Sequence, residues 1–140
     1  MFVELKKNTV DVQNAYDDNY TDYQDTISHL FYYNAFLMLS NGTEAKVGTL
    51  GSKYEFFHEW KRLAEEDQGS VALETMLRGI CKKENFLDLF ENFILYDHSG
   101  GHTAKILARN HQYLGVNEAM KAYAARKLND GKLGVFWHTQ

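Results

Sequence analysis

At 140 residues the chain has the size of one ordinary domain, and its 44% hydrophobic and 14% aromatic content exclude a disordered chain. A net charge of −4 argues against a dedicated DNA-wrapping module while leaving room for a local basic face. The single cysteine, Cys81, excludes an internal disulfide framework. The chain reads as lacking a signal peptide, and no apolar run approaches the roughly 18 residues of a membrane span. The expectation is a reducing, cytoplasmic compartment and no membrane partner.

Phe2-Val-Glu-Leu-Lys6 alternates as a β-strand does, placing Glu4 and Lys6 on one side and Val3 and Leu5 on the other, as an apolar underside for a helix. Asp11 suits a helix N-cap, and the apolar positions Val12, Tyr16, Tyr20, Tyr23, Ile27 and Leu30 predict a helix over about 12–33, bent near Thr26. Asn19 and Tyr23, four apart, share a face. Ala35–Ser40 reads as a strand, Asn41-Gly42 as a hairpin turn and Ala45–Leu50 as the returning strand, with the first two strands parallel.

Phe56, Phe57 and Trp60 mark a packing segment. Glu65–Gly69 is the most linker-like stretch, and Ser70 can cap a helix over 71–81 in which Cys81 is a core thiol. A second helix covers 84–93, Ile94–Tyr96 reads as a short strand, 97–102 as a loop and 105–109 as extended. A helix over 110–128 has Tyr113, Val116, Met120 and Tyr123 on its inner face, and Leu133–His138 reads as a buried-type strand. The fold class is α/β: a partial strand–helix–hairpin unit, then a mainly helical segment and one terminal strand.

Six histidines invite a metal hypothesis, but only His98 and His102 are close, in a glycine loop without the spacing of a zinc site. Glu4 and Lys6 are more specific. A carboxylate that holds Mg²⁺ beside a lysine that orients an attacking water suits phosphodiester hydrolysis. A solvated, charged edge strand is the plain alternative.

Taken in order, six blocks resemble the R subunit of type I restriction enzymes, which is the motor and nuclease subunit. They are Val3–Asn8, Leu39–Thr43, Phe57–Lys61, Phe86–Leu89, Lys105–Tyr113 and Gly134–Gln140. The resemblance implies an internal fragment of a large enzyme that cleaves and translocates double-stranded DNA, with Mg²⁺ and ATP as cofactors and modification and specificity subunits as partners. Residues 1–64 would be the later part of a PD-(D/E)xK nuclease domain, 65–104 a helical connector and 105–140 the start of an ATP-binding motor, ending before its Walker A loop. Glu4 and Lys6 match the Glu-x-Lys of that motif, with Mg²⁺ held by Glu4 and the carbonyl of Leu5. Asn19 and Tyr23 match a Gln-x-x-x-Tyr element, asparagine replacing glutamine. The motif's first acidic residue would lie upstream of Met1, and Gln112 matches an adenine-sensing glutamine. On this reading the fragment alone is inactive. The alternative is a non-catalytic α/β module that docks other domains or subunits.

Overall fold

The computed structural model describes residues 1–64, 66–67 and 73–137. A three-stranded sheet lies at its centre, with β2 (Leu37–Ser40) in the middle, parallel to β1 (Phe2–Leu5) and antiparallel to β3 (Ala45–Gly48). Lys6 lies one residue beyond β1 but extends its ladder, its N–H donating to Ser40 O at 2.8 Å. The β2–β3 turn is a four-residue loop rather than a tight two-residue one. The Asn41 carboxamide holds it by accepting the N–H groups of Thr43 and Glu44 and donating to Val10 O at 2.9 Å. Gly42, at φ 88°, supplies the left-handed residue.

Each face of the sheet carries its own core, as the period-two alternation of side chains requires. Leu37 and Leu39 face Val12, Ala15, Tyr20, Phe31 and Phe57. Met38, Ala45 and Val47 face Trp60, Met76, Ile80, Leu89, Leu107 and Tyr113, a cluster drawing on residues from before 64 to beyond 105. The second layer is built from α2 (Leu73–Ile80), α3 (Lys83–Asn92), the antiparallel hairpin of β4 (Ile94–Asp97) and β5 (Ala104–Leu107), and the first turn of α4 (Asn110–Ala124). The short strand read at Ile94–Tyr96 and the extended segment read at 105–109 are thus the two arms of this hairpin. Thr49 Oγ1 donates to Lys105 O at 2.5 Å, and Lys105 Nζ donates to Asn34 O at 2.7 Å, tying that hairpin to the sheet.

Several sequence expectations are corrected. The helix expected over 12–33 is three pieces: a π-helical turn at Ala15–Tyr20, α1 (Thr21–Thr26), and a 3₁₀ turn at Ser28–Phe31. The break comes at Ile27, whose φ of −136° leaves the helical region. Asp11 holds the turn that leads into the first of these pieces, its carboxylate accepting the Gln13 N–H at 2.8 Å, while Asn14 stands at the N-cap position without a side-chain cap. Val3 and Leu5 do not lie under a helix. They are 38% and 57% exposed, because the layer of α2, α3 and hairpin covers β2 and β3 and stops short of the edge strand. Phe56 is exposed while Phe57 and Trp60 are buried, and Cys81 is exposed just past the end of α2, where Ile80 takes the core position.

Val116, Met120 and Tyr123 are likewise exposed; α4 reaches the core through Tyr113 and the partly buried Leu114, near its start. The buried terminal strand is absent among the described residues 133–137. Gly131 and Gly134, at φ 81° and 89°, turn the backbone out of the extended region, and Val135 and Trp137 are 92% and 80% exposed. Ser70, the start of the helix expected from 71, and His138 lie outside the described residues.

Candidate active site

The parallel ladder fixes which way β1 presents its groups. Phe2 and Lys6 donate N–H groups to Phe36 O and Ser40 O, so residues 2, 4 and 6 direct their backbones toward β2, while Val3 and Leu5 direct theirs toward the open edge. The Leu5 carbonyl is thus on the free side of the strand. Glu4 pairs in register with Leu39, which places its side chain on the face covered by the π-helical turn and α1.

Two tyrosines anchor that helical segment at the far side of the sheet. Tyr16 Oη donates to Ser52 O at 2.9 Å, and Tyr20 Oη accepts the Gly51 N–H at 3.0 Å. Both rings pack on Phe57, and Tyr20 also meets Phe31 edge to face. The opposite side of the segment then falls over β1. Tyr23 packs edge-on against Phe2 with ring centroids 6.1 Å apart, and the Asp18 carboxylate lies 3.7 Å from Lys6 Nζ. Asn19 sits between those two contacts. Its amide nitrogen makes a weak 3.5 Å contact with the Tyr23 hydroxyl, and its Oδ1 is shielded from solvent without a hydrogen-bond partner.

Four of the sequence-selected residues (Glu4, Lys6, Asn19 and Tyr23) therefore belong to one strand–helix face. Asp18, which the sequence reading passed over, belongs with them as the partner of Lys6. Its place depends on the π-helical turn, in which the Thr21 N–H reaches back five residues to Tyr16 O. The wider turn carries about one residue more than an α-turn, and helical spacing alone does not announce it.

Burial raises the Glu4 pKa above its ordinary value, and the nearby Lys6 ammonium opposes that rise. The oxygen donors of the strand (the Glu4 carboxylate and the Leu5 carbonyl) are the hard ligands Mg²⁺ takes, and one or two carboxylates completed by water is its usual protein share. Among the described residues no group of three His, Cys, Asp or Glu side chains gathers to hold a metal, so the donor set fits Mg²⁺ in kind but offers a small share of a six-oxygen shell. Gln112 is not part of this face. It lies in the first turn of α4 on the opposite side of the sheet, where its Oε1 accepts the Arg109 N–H at 2.8 Å and closes the helix start.

Residues 1–56 match the family described as Type I restriction enzyme R protein N terminus. Across 98% of its length the chain is 34% identical to the type I restriction enzyme HindI endonuclease subunit of Haemophilus influenzae, and across 96% it is 26% identical to a protein of Methanocaldococcus jannaschii provisionally named the type I restriction enzyme MjaIXP endonuclease subunit. It spans 14% and 15% of those relatives' own lengths. No helix among the described residues is long and apolar enough to cross a membrane. From end to end, then, this chain is similar to endonuclease subunits of type I restriction enzymes, and its opening residues match the N-terminal region of their R protein.

Proposed function

We propose that the chain is a segment of a type I restriction enzyme R subunit and contributes one side of that subunit's Mg²⁺-dependent nuclease centre. The observation that carries this reading is the strand–helix face. Phe2–Tyr23 packing and the Lys6–Asp18 pair bring the helical segment that bears Asn19 and Tyr23 onto the strand that bears Glu4 and Lys6, which by resemblance would be the residues of the family's nuclease motif. Glu4 and the Leu5 carbonyl would hold Mg²⁺ at the free edge of β1. When bound, the ion would supply charge stabilisation at the scissile phosphate and acidify water.

Lys6 places an ammonium beside the Glu4 carboxylate, positioned to orient the attacking water or stabilise charge on the phosphate. Asp18 restricts where that ammonium can go. Asn19 Oδ1 has no partner but is shielded from solvent, so it would accept a hydrogen bond at this face only after a side-chain rotation exposes it. The substrate would be double-stranded DNA, and ATP-driven translocation with modification and specificity subunits would belong to the whole enzyme. In that enzyme Gln112 can read adenine only by releasing the Arg109 N–H with its oxygen, or by using its amide nitrogen alone.

In the complete subunit assembled with its partners, Glu4→Ala is expected to slow plasmid cleavage on the order of 10²–10³-fold or more while ATP hydrolysis persists. The 140-residue chain alone should leave plasmid DNA intact with Mg²⁺ and ATP. A second reading, a docking module without chemistry, draws on the exposed Val3, Leu5, Val116 and Met120. It requires Glu4→Ala to cleave at the wild-type rate.

A further inference from the structure

The Lys6 side chain is confined more closely than a lysine beside an edge strand ordinarily is. It is 20% exposed, and the carboxylate within ion-pair distance of its ammonium is Asp18, at 3.7 Å, rather than Glu4 two residues away. A flexible four-carbon stem would otherwise let the ammonium reach either carboxylate.

The turn that carries Asp18 sets it apart from its neighbours. Over Ala15–Tyr20 the backbone runs as a π-helical turn, a rare feature that is frequent at functional sites. Tyr16 and Tyr20 pin one side of this turn through their hydroxyls, at Ser52 and Gly51. Asp17 is engaged within the segment itself: its Oδ2 accepts Gln13 Nε2 at 3.1 Å, and its carbonyl accepts the Thr21 hydroxyl. Asp18, one residue later, is turned instead to Lys6 on a different element.

We propose that Asp18 is a positioning residue of the nuclease centre, holding the Lys6 ammonium toward the helical segment and off the Glu4 carboxylate. The role exists only if the Glu4 face is that centre. An ammonium and a divalent cation compete for the same carboxylate oxygens, so a Lys6 paired with Glu4 would occupy the metal-holding edge. With Lys6 drawn to Asp18, Glu4 keeps its oxygens for Mg²⁺, and the ammonium remains available to the attacking water or the phosphate. Asp18 acts on the reaction through Lys6 alone.

In the complete subunit assembled with its partners, Asp18→Asn should slow plasmid cleavage about 10-fold at saturating enzyme, with DNA binding and ATP hydrolysis unchanged. Asp17→Asn removes the same charge one residue away and should cleave at the wild-type rate. Asp18→Glu should recover most of the loss. A second readout is independent of cleavage: Mn²⁺ titrated into the 140-residue chain and followed at the Leu5 amide by nuclear magnetic resonance. Its apparent Kd should rise about 2–5-fold in Asp18→Asn, the span of an exposed ion pair, because the freed ammonium then competes at Glu4. In Lys6→Gln there is no ammonium to hold, and adding Asp18→Asn should leave the Mn²⁺ affinity unchanged. Circular dichroism checks that each variant is folded. Wild-type cleavage by Asp18→Asn, where Glu4→Ala is slow, overturns the role and leaves the nuclease reading standing. Wild-type cleavage by both variants overturns the nuclease reading and the role with it. Equal losses in Asp17→Asn and Asp18→Asn, or an Asp18→Asn effect on Mn²⁺ that persists in Lys6→Gln, make Asp18 one charge among several and overturn the role.

Discussion

Replacing Trp60 with alanine is expected to destabilise the protein by about 3–5 kcal/mol, the range for emptying a buried aromatic site. Trp60 is 2% exposed, its ring lies 5.4 Å from that of Tyr113, and it belongs to the core joining the sheet to α2, α3 and α4. The indole also rests directly on Gly79 of α2. A Cβ added there would lie 2.5 Å from Trp60 Cδ1 and closer still to Nε1. Gly79→Ala should therefore cost about 1–3 kcal/mol through overpacking, despite alanine's better helix propensity. In a Trp60→Ala background the clash is gone, and the same change should stabilise by roughly 1 kcal/mol. Urea unfolding of the four proteins reads the reversal of sign; additive losses would mean that the indole does not sit on Gly79.

Acid should destabilise the fold well before its carboxylates titrate, and His58 is the reason. Burial, followed by the positive field of Arg109, lowers its pKa to about 4 from an ordinary value near 6.5. The folded state thus favours the neutral ring. Its contribution is fully present above about pH 6.5 and is lost as pH falls toward 4, because the unfolded chain takes up the proton first. A shift of that size corresponds to on the order of 3 kcal/mol. Unfolding free energies at pH 7.5 and pH 4.5 should diverge by a large part of that in wild-type protein and by much less in His58→Gln. Equal pH dependence in the two proteins would show that the ring is not held neutral.

Local patterns in the sequence carried much of this architecture, and tertiary geometry carried the rest. Alternation in Phe2–Lys6 and the apolar runs on either side of Asn41-Gly42 are short-range signals. The parallel β1–β2 and antiparallel β2–β3 pairs form where those signals put them. What covers each strand is not a local property. Val3 and Leu5 are as apolar as residues with a helix beneath them, yet they are exposed because β1 is an edge. Leu133–Trp137 is as hydrophobic as a buried strand, but the glycines at 131 and 134 set a backbone that hydropathy does not reveal. The candidate site follows the same division. Glu4, Lys6, Asn19 and Tyr23 could be chosen from spacing, whereas Asp18 enters through a π-helical turn.

The claim at the centre of this account is that Glu4 and the Leu5 carbonyl form the metal-holding edge of a nuclease centre, with Asn19 and Tyr23 folded over it. Mn²⁺ accepts the same carboxylate, carbonyl and water ligands as Mg²⁺ and broadens nuclear magnetic resonance signals near it. Titrated into the ¹⁵N-labelled chain, it should bind weakly, on the order of millimolar for so few protein ligands. Broadening should centre on the amides of Leu5 and Lys6, extend to Asn19, and disappear in Glu4→Gln. Broadening centred on another carboxylate, or unchanged by Glu4→Gln, would contradict the account.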